Sequence, residues 1–511
     1  MASRWEAVTA APIGRGTQGL RCYTRLDMPT TVHPAFIEAL ERAVGRPHVL
    51  SAPEDLVAFE YDATIDRALP DAVVLPRTAE EIAAVVRAAN EHDVPVVPRG
   101  SGTGLAGGAV PVTGGVVVAL TRMNRIIEVD AANRVAVVEP GVINLALQDA
   151  LAPLGLAWPP DPSSQRICTV GGNIANNSGG PHTLAHGSTV NHVLGLEVVL
   201  ADGRIVHLGG RAMDTPGVDL RGLLVGSEGT LGIVTQATLH LVPVAHAVRT
   251  MLAIFDSVDA ASAAVSAIIR GGVIPVALEM LDQAIIRIVE PRIRAGYPLD
   301  AGAVLLIEVE GLAEGIAVEA EAVIAACRAS GAREVRSADT QPERDRLWEA
   351  RKAGIGAVGA VSPAYYLLDG VVPRTRLPEV MRRVLDLSQA YGFACANIFH
   401  AGDGNLHPII MFDPALPGAT QRVLDLGGEI MRACVDAGGA ITGEHGIGLE
   451  KRAYMEWVFS PADLAAMERA RLAFGSVERF NPCKILPGGH GCAAGHAEEV
   501  ARHASRPGVY I

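Results

Sequence analysis

Three histidines and a glutamate in the C-terminal part of the chain have the residue types and spacing of a metal site. His400 and His407 flank a Gly/Asp/Asn turn at 401–405 between two apolar runs, which predicts a β-hairpin with both imidazoles on one face, about 5 Å apart. Glu444 and His445 lie together in a second glycine-flanked turn. Two imidazoles and a carboxylate with one open position are typical of a catalytic metal site. We therefore predict His400, His407 and Glu444 as ligands of a divalent metal, with zinc as the first candidate. The alternative is ordinary polar turn residues or core histidines.

Two further side chains have the chemistry to act on a substrate. His445 is the predicted general base, because a neutral imidazole with a pKa near 6.5 can accept a hydroxyl proton at physiological pH. Arg351 lies in a predicted helix at about 342–359, and its guanidinium is the predicted bidentate partner of a small acid substrate. An arginine that only faces solvent is the alternative for Arg351.

A glycine-rich segment at 98–108, PRGSGTGLAGG, indicates a site for phosphate oxygens. Its literal GxGxxG string is followed by Pro111, Gly114, Gly115 and a β-branched run, so it does not open a helix and is not a Rossmann loop. Its glycines leave successive backbone N–H groups free to converge on a pyrophosphate, and hydroxyls add donors. The residues predicted to contact a cofactor here are Arg99, Gly100, Ser101, Gly102, Thr103, Gly104 and Gly107.

Two more Gly/Asn-rich stretches, at 159–180 and 226–235, favour a single large cofactor that contains phosphate. Glycines let the backbone approach a flat ligand closely and supply amide donors to it. The first stretch gives the predicted contacts Pro162, Gly171, Gly172, Asn173, Ser178 and Gly179. The second gives Glu228, Gly229 and Ile233.

The elements that must position these residues form two units, and their class is α+β. A strand, a helix capped by Thr78 and Glu81, and a second strand at 71–97 form a β-α-β unit, and short strand-like runs continue to Leu241. From about residue 249 onwards, strands alternate with Ala-rich helices, which predicts an antiparallel sheet covered on one side by helices. The two units join near Pro243.

The composition excludes several classes of protein. The 511 residues are enough for about three or four domains of roughly 150 residues each. A formal net charge of −13 offers no surface that would neutralise nucleic-acid phosphates. The seven cysteines include no CxxC pair, which predicts reduced thiols and no iron–sulfur cluster within the chain. There is no apolar run of membrane-spanning length and no secretory signal, so we expect a cytoplasmic protein.

Six ordered segments together resemble the FAD-linked oxidase family, which has a vanillyl-alcohol-oxidase-type fold. Within that family the chain is most similar to the group of glycolate oxidase FAD-linked subunits and D-lactate dehydrogenases. The resemblance covers about 32–487. The segments are PRGSGTGLAGG at 98–108, PDPSSQRICTVGGNIANNSGG at 160–180, GSEGTLGIVT at 226–235, FHAGDGNLHP at 399–408, TGEHGIGLEK at 442–451 and NPCKILP at 481–487.

The resemblance implies how the chain is divided. It implies a two-part FAD-binding domain of the vanillyl-alcohol-oxidase type at 31–246 and an α+β cap domain with an antiparallel sheet at 247–470. The cap domain would carry the substrate and metal sites. Residues 471–511 would return to the FAD domain, and 1–30 would form an N-terminal extension. Asn481 would lie near the flavin, and the FAD would be noncovalent because the first loop has no histidine.

The same resemblance implies a reaction. His400, His407 and Glu444 match the family's metal ligands and His445 matches its base. The metal would polarise the substrate hydroxyl, His445 would remove its proton, and hydride would pass from the α-carbon to flavin N5. In relatives that act on D-2-hydroxyglutarate, extra polar contacts accompany the arginine matched by Arg351. The corresponding residues here are apolar, namely Ile355, Leu367 and Ile409. A second carboxylate would be buried without a partner, so glycolate or D-lactate is favoured.

We therefore expect a flavin-dependent dehydrogenase that converts a small 2-hydroxy acid to the 2-oxo acid. Without cysteine clusters, its electrons must leave through a separate acceptor. The expected partners are an iron–sulfur subunit and a second flavin-type subunit, with at most peripheral association with the inner membrane through them. The alternatives are a stand-alone D-lactate or D-2-hydroxyglutarate dehydrogenase, a noncatalytic flavin subunit that relays electrons, and a metal hydrolase without flavin.

Overall fold

The structure has two lobes that are built on separate sheets. The computed structural model describes residues 33–213, 216–475 and 479–487, and the expected N-terminal extension lies outside them. The first lobe carries a four-stranded and a five-stranded sheet, and the second lobe carries one eight-stranded sheet. Strands β7 and β11 form a further two-stranded sheet. Helices pack on the three larger sheets, so the predicted α+β class is confirmed. Within the described part of the chain, no helix has the length and apolar character needed to cross a membrane.

The first lobe contains strands β1 to β11 and helices α1 to α7. Its strands are β1 (Val49–Leu50), β2 (Ala72–Val74), β3 (Val96–Arg99), β4 (Val116–Ala119), β5 (Ile126–Asp130), β6 (Val135–Val138), β7 (Leu156–Ala157), β8 (Val193–Val199), β9 (Ile205–Gly209), β10 (Ile233–His240) and β11 (Val242–Pro243). Its helices are α1 (Pro34–Val44), α2 (Pro53–Leu56), α3 (Ala79–Glu91), α4 (Asn144–Leu151), α5 (Val170–Asn176), α6 (Thr183–His186) and α7 (Leu220–Leu224). The strand orders are β1-β2-β4-β3 and β5-β6-β10-β8-β9.

The predicted β-α-β unit is present as β2, α3 and β3. Strands β2 and β3 lie parallel to β4 on its two sides, and the apolar face of α3 packs on this sheet. The Thr78 hydroxyl accepts a hydrogen bond from the Glu81 N–H at 3.2 Å. The Glu81 carboxylate accepts from the Arg77 N–H instead of the Thr78 N–H, so only half of the expected capping box forms. Strand β3 leads directly into the glycine-rich segment.

The second lobe contains strands β12 to β19 and helices α8 to α13. Its strands are β12 (Ala247–Phe255), β13 (Ala277–Asp282), β14 (Ala303–Gly311), β15 (Glu334–Ala338), β16 (Ala364–Leu367), β17 (Gly370–Val371), β18 (Ala394–His400) and β19 (Asn405–Phe412). Its helices are α8 (Val258–Arg270), α9 (Gln283–Ile293), α10 (Ala313–Ala329), α11 (Gln341–Val358), α12 (Leu377–Tyr391) and α13 (Ala419–Asp436). The order is β15-β12-β14-β13-β18-β19-β16, with β17 beside β19.

Helices cover both faces of this sheet, so the prediction of one covered side was wrong. Met251, Ala253 and Phe255 of β12 pack with α8, α10, α12 and α13. Leu252 of the same strand faces α9 and α11. Helix α9 was not predicted, because it contains Pro291, which normally marks the end of a helix. Strands buried on both faces become continuous apolar runs, and the run at 251–255 in β12 carries this signal, which the prediction did not use.

The predicted hairpin is formed by β18 and β19. Ile398 lies opposite His407, and His400 lies opposite Asn405. The two histidines are therefore diagonal neighbours on one face of the sheet, with ring centroids 5.3 Å apart. On the other side of β18, strand β13 places Glu279 directly opposite His400.

After α13 the chain returns to the first lobe. Loop 442–451 contacts the glycine-rich segment, where the Leu449 N–H donates to the Ala106 carbonyl at 2.8 Å. A Cβ on Gly448 would lie 1.9 Å from that carbonyl oxygen, and its φ is +48°, so a larger residue would push the lobes apart.

The end of the described chain lies against the edge of the first sheet. Helices α14 (Met455–Val458) and α15 (Pro461–Ala473) follow the loop. The Val96 N–H then donates to the Arg479 carbonyl, and the Asn481 N–H donates to the Val96 carbonyl, both at 2.8 Å. These bonds extend the sheet at β3 by one short segment.

The cysteines depart in one place from the expected reduced state. Among the described residues, Cys168, Cys327, Cys395 and Cys434 are free thiols, as predicted. Cys483 is disulfide-bonded, so the prediction was wrong at this position.

A polar cluster joins the two lobes. His182 Nδ1 lies 2.6 Å from Asp161 Oδ2 of the first lobe, and His182 Nε2 lies 3.7 Å from Glu308 Oε1 on β14. Glu308 also accepts hydrogen bonds from Arg344 and Trp348 of α11, at 3.1 and 2.8 Å. Burial disfavours the charged form of His182, but the two carboxylates outweigh it and raise the pKa of His182 to about 10.

This cluster predicts a pH-dependent part of the stability. Because the pKa of His182 rises from 6.5 to about 10 on folding, its contribution is fully present below about pH 6.5 and is lost as the pH rises towards 10. We expect His182→Gln to lower the free energy of unfolding more at about pH 6 than at about pH 9. Urea denaturation measures the difference. His207→Gln, whose side chain is 72% exposed, is the control. An effect of equal size at both pH values would contradict the ion pair.

Candidate active site

The two lobes enclose a cavity of about 540 Å³, within the size range of small-molecule sites. The first lobe contributes its glycine-rich backbone segments, and the second contributes side chains of α11, β16 and the hairpin. The predicted site residues that line it are Arg99, Gly100, Ser101, Gly102, Thr103, Gly104, Pro162, Gly171, Gly172, Asn173, Ser178, Glu228, Gly229, Ile233, Arg351, His400, His407, Glu444 and His445. The structure thus brings residues from six separate segments to one place.

Three predicted cofactor residues lie outside the cavity lining. Gly107 packs against Leu449, whose Cδ1 would be 2.9 Å from a Cβ on that glycine. Gly179 lies against Glu444, whose Oε2 would be 3.2 Å from a Cβ there. Asn481 donates through Nδ2 to two backbone carbonyls of the segments that line the cavity, at 2.8 and 2.7 Å. These residues support the cavity wall from behind.

The Nε2 atoms of His400 and His407 converge on one carboxylate oxygen. Glu444 Oε1 lies 3.3 Å from His400 Nε2 and 3.2 Å from His407 Nε2. The other ring nitrogens have partners of their own. His400 Nδ1 lies 2.7 Å from Glu279 Oε1, and His407 Nδ1 lies 3.1 Å from the Leu368 carbonyl oxygen. When Nδ1 carries the proton in both of these bonds, both Nε2 lone pairs face Glu444.

This arrangement fits a divalent metal ion. Two ligand atoms bound tetrahedrally to one zinc ion at about 2.1 Å lie about 3.4 Å apart, close to the 3.2 and 3.3 Å found here. Asp369, His407 and His445 form a second group with ligand atoms within 4.8 Å of one another. The Asp369 carboxylate, however, already accepts hydrogen bonds from Thr442, Lys451 and backbone N–H groups. The first group therefore fits a metal better.

Asp369 fixes the loop at 442–451 that carries Glu444 and the predicted base. It is completely buried, and its Oδ2 lies 3.0 Å from Lys451 Nζ. The same oxygen accepts hydrogen bonds from the His445 N–H at 3.0 Å and from a loop hydroxyl at 2.6 Å. Burial alone would raise the pKa of Asp369, but the Lys451 ammonium and nearby imidazoles hold it well below its usual value. The carboxylate is therefore ionised, as its role as an acceptor requires.

His445 lies next to the proposed metal ligands. Its ring stacks on His407 with centroids 4.9 Å apart and planes 8° from parallel. Its Nε2 lies 3.8 Å from Glu444 Oε1, and its Nδ1 is buried and makes no hydrogen bond to the residues that the structure describes. Burial lowers the pKa of His445 to about 4, so the imidazole is neutral at physiological pH. A neutral ring with an unpaired nitrogen has the state that a general base requires.

Arg351 is paired with a second buried carboxylate, Glu279. The Nε and Nη2 atoms of Arg351 lie 2.7 and 2.5 Å from Glu279 Oε2, and both residues are at most 3% exposed. Burial disfavours ionisation of Glu279, but Arg351 and His400 lower its pKa to about 2. The bidentate edge that the sequence predicts for a substrate is thus already occupied. Nη1 remains, and it makes no hydrogen bond to another described residue.

Unpaired polar atoms lie on the first-lobe side of the cavity. Ser101 Oγ and Glu228 Oε2 are buried without a hydrogen-bond partner among the described residues, and both residues line the cavity. Buried polar atoms are nearly always paired, so these two indicate hydrogen bonds supplied by a bound molecule. Gly102 has φ +73°, and a Cβ on Gly100 would lie 2.6 Å from the Thr169 hydroxyl. The bare backbone and the free Ser101 hydroxyl fit a flat ligand that carries phosphate.

A buried cation lies behind the glycine-rich segment. Lys484 is 1% exposed, and its Nζ donates to the carbonyls of Gly108 and Val110 at 2.7 and 2.6 Å. Burial lowers the pKa of Lys484 to about 7, although Asp62 and Glu228 favour the ammonium form. Burial likewise raises the pKa of Glu228 to about 7. The acidic and the basic group therefore each favour the charged form of the other next to the cavity wall.

Four side chains that organise the site were not predicted: Glu279, Asp369, Lys451 and Lys484. Glu279 and Asp369 do carry a usable signal, because each is an acidic residue inside or at the end of an apolar run. Such a residue is buried with its strand and needs a partner there. An acidic residue in an apolar run therefore indicates a buried charge, but it does not indicate which residue pairs with it.

Comparison with known proteins identifies the family. The FAD binding domain family matches residues 70–209, and the family of FAD linked oxidases, C-terminal domain, matches residues 244–485. Glycolate oxidase subunit GlcD of Escherichia coli (strain K12) is 43% identical over 472 residues, which cover 92% of this chain and 95% of that protein. The chain belongs to the FAD-linked oxidase family. It is an FAD-linked oxidoreductase, as the sequence predicted.

One further relative of this FAD-linked oxidase supports the family assignment, and one solved structure supports the fold. D-lactate dehydrogenase of Archaeoglobus fulgidus is 36% identical over 84% of this chain and 95% of that protein. The solved structure of 4-ethylphenol oxidase from Gulosibacter chungangensis matches with a TM-score of 0.74 at 19% identity, over 90% of this chain and 99% of that one. The predicted vanillyl-alcohol-oxidase-type fold is therefore confirmed.

The geometry of the histidine pair predicts metal binding that depends on His407. We expect His407→Ala to lose most of the divalent metal that the wild-type protein retains, because one of three ligand atoms is gone. Elemental analysis after zinc loading and desalting measures the bound ion. His207→Ala, at an exposed position, is the control and should retain wild-type content. Equal metal content in the two variants would rule out this site.

Proposed function

We propose that this FAD-linked oxidoreductase oxidises a small 2-hydroxy acid, glycolate or D-lactate, to the 2-oxo acid. One observation carries the proposal. A possible metal-ligand group, a neutral imidazole and a guanidinium share one cavity with the glycine-rich segments that fit a phosphate-containing cofactor. A glycolate oxidase subunit and a D-lactate dehydrogenase among the relatives support it. A noncatalytic relay subunit would not need this side-chain group, and a metal hydrolase would not need an FAD binding domain.

The first lobe would hold FAD noncovalently through its glycine-rich segments, and His400, His407 and Glu444 would hold a divalent metal ion. When bound, FAD supplies a hydride acceptor at flavin N5, and the ion, for which zinc is the first candidate, lowers the pKa of a substrate hydroxyl. No histidine lies in the segment 98–108 to form a covalent flavin link.

The side chains of the protein bind the acid and remove its proton. Arg351 Nη1 would donate to the substrate carboxylate, while Glu279 holds the other edge of the guanidinium. His445 would accept the hydroxyl proton, because its buried ring is neutral and has an unpaired nitrogen. The acid thus loses one proton to His445 and one hydride to the flavin, which balances its conversion to the 2-oxo acid.

Electrons would leave the flavin through partner subunits. The Escherichia coli relative is named as a subunit. This chain contains no CxxC pair of the kind that holds an iron–sulfur cluster. We therefore propose an iron–sulfur subunit and a second flavin-type subunit as partners. Any association with the membrane would be peripheral and would run through them.

The residues around Arg351 bear on the length of the acid that the site accepts. Ile355 lines the cavity, as expected, but Leu367 and Ile409 are a cross-strand pair in the core of the second lobe and do not line it. Lys352 lines the cavity and was not expected. Its nearest aromatic contact is a tryptophan ring 5.8 Å from Nζ. A cation here could neutralise a second carboxylate, so Lys352 favours D-2-hydroxyglutarate as the second candidate substrate.

Anaerobic reduction of the flavin tests the proposed function. The purified protein should show flavin absorbance bands at about 375 and 450 nm, and glycolate or D-lactate should bleach the second band. His445→Ala should keep both bands but reduce at least about 100-fold more slowly, because it lacks the general base. His207→Ala should behave as wild type. A colourless protein, or unimpaired reduction of His445→Ala, would contradict the proposal.

A change at Lys352 distinguishes the candidate substrates. If the substrate is glycolate or D-lactate, the kcat/KM of Lys352→Met for that acid should stay within about twofold of the wild-type value, because a short acid does not reach the ammonium. If it is D-2-hydroxyglutarate, loss of the cation should lower its kcat/KM by about 10-fold or more. Stopped-flow reduction with each acid measures these ratios. Faster reduction of the wild-type protein by D-2-hydroxyglutarate than by either short acid would overturn the preferred substrate.

A further inference from the structure

A single buried carboxylate connects the possible metal ligands to the proposed substrate arginine. Glu279 Oε1 lies 2.7 Å from His400 Nδ1, and Glu279 Oε2 lies 2.7 Å from Arg351 Nε and 2.5 Å from Arg351 Nη2. Glu279 is 1% exposed. Each of its oxygens therefore has a different charged or polar partner, and water does not compete for either.

The sheet register produces these contacts. Glu279 on β13 lies directly opposite His400 on β18, so their side chains share a face at the normal cross-strand distance. That face is the one covered by α9 and α11, because Leu278 and Met280 point to the opposite core. Helix α11 carries Arg351. The carboxylate thus lies where the strand that holds a ligand and the helix that holds the arginine meet.

We propose that Glu279 is a positioning residue, which holds His400 with Nε2 towards the proposed metal site and turns Arg351 Nη1 towards the substrate. This inference rests on the proposed function. An ionised carboxylate only accepts hydrogen bonds, so His400 must donate to Glu279 from Nδ1, and Nε2 is the ring nitrogen that faces Glu444. Arg351 is always charged and only donates, so its Nε–Nη2 edge stays on Glu279. Glu279 therefore sets both the orientation of the proposed metal ligand His400 and the contact of Arg351 with the substrate.

The isosteric variant Glu279→Gln separates the effect on His400 from the effect on Arg351. Its amide offers one acceptor and one donor, whereas His400 and Arg351 both donate to Glu279 in the wild-type protein. Arg351 cannot accept a hydrogen bond, so the amide oxygen is expected to remain on Arg351 and the amide NH₂ to face His400. His400 Nδ1 must then accept, and its proton moves to Nε2, where it blocks the metal. Loss of such an outer partner typically weakens metal binding by about 10- to 100-fold.

The experiment measures zinc affinity of the flavin-containing protein. The protein is stripped with EDTA and titrated with Zn²⁺ against a competing chelator. We expect Glu279→Gln to bind Zn²⁺ about 10- to 100-fold more weakly than wild type. At saturating Zn²⁺, its KM for the oxidised acid should stay within about threefold of wild type, because the Arg351 contact remains. This split between metal affinity and KM would not follow from a general loss of stability.

Glu308→Gln is the matched control. Glu308 is also buried, at 2% exposure, lies on the neighbouring strand β14 and accepts hydrogen bonds from Arg344 of the same helix α11. It contacts none of the proposed metal ligands in the described structure, so its zinc affinity should equal that of wild type. Glu279→Gln affinity within twofold of wild type, or an equal loss in Glu308→Gln, would overturn the inference.

Two additional results keep the test decisive. If Glu279→Gln does not fold, Glu279→Asp replaces it: the charge opposite Arg351 is kept, but the shorter side chain cannot reach both partners, and zinc affinity should again fall about 10-fold or more. Wild-type zinc affinity in Glu279→Asp would contradict the role of Glu279. A wild-type protein that binds no divalent ion would instead remove the proposed metal site itself, and this inference with it.

Discussion

The ion pair between Asp369 and Lys451 is the interaction on which the site depends. Both side chains are buried, at 0% and 1% exposure, and their charged atoms lie 3.0 Å apart. Removal of one partner would leave an uncompensated charge in the interior, at a cost of about 3–5 kcal/mol. The same carboxylate accepts backbone N–H groups of the loop at 442–451. That loop carries Glu444 and His445 and contacts the glycine-rich segment, so the pair fixes one lobe against the other.

Buried charge pairs recur around the cavity, and their effect on stability differs from their effect on geometry. Glu279 with Arg351 follows the same pattern as Asp369 with Lys451. The desolvation of such pairs offsets most of their attraction, so they add little net stability. They do hold side chains in one orientation, which a reaction with defined hydride and proton positions requires. Arg351 and Lys451 therefore each have a fixed carboxylate partner beside the cavity.

Local patterns explain most of what the sequence predicted correctly. The helical spacing of apolar residues in α3 and the β-branched runs beside it predicted the β-α-β unit. The turn at 401–405 predicted the hairpin that brings His400 and His407 together. These features depend on residues close in the chain. The partners of Glu279 could not be predicted in this way, because Arg351 is 72 positions away and meets it only through the packing of α11 on the sheet. The contact between Glu279 and the guanidinium edge of Arg351 was not predicted for the same reason, because it too arises from the packing of α11 on the sheet.

The two lobes recognise their ligands by different means, and this determines which half of the site a sequence reveals. The first lobe offers backbone N–H groups and close approach, so its signature is glycine content, as in the segment at 98–108. The second lobe uses side chains that reach the cavity from a helix, a hairpin and a loop, and each needs tertiary packing to arrive there. Leu367 and Ile409 show the consequence. Their apolar character suited a substrate pocket, yet they pair across strands in the core, while Lys352, one residue after Arg351, lines the cavity. Residue type therefore predicts a cofactor lobe built from backbone far better than the proposed substrate site, which is built from side chains.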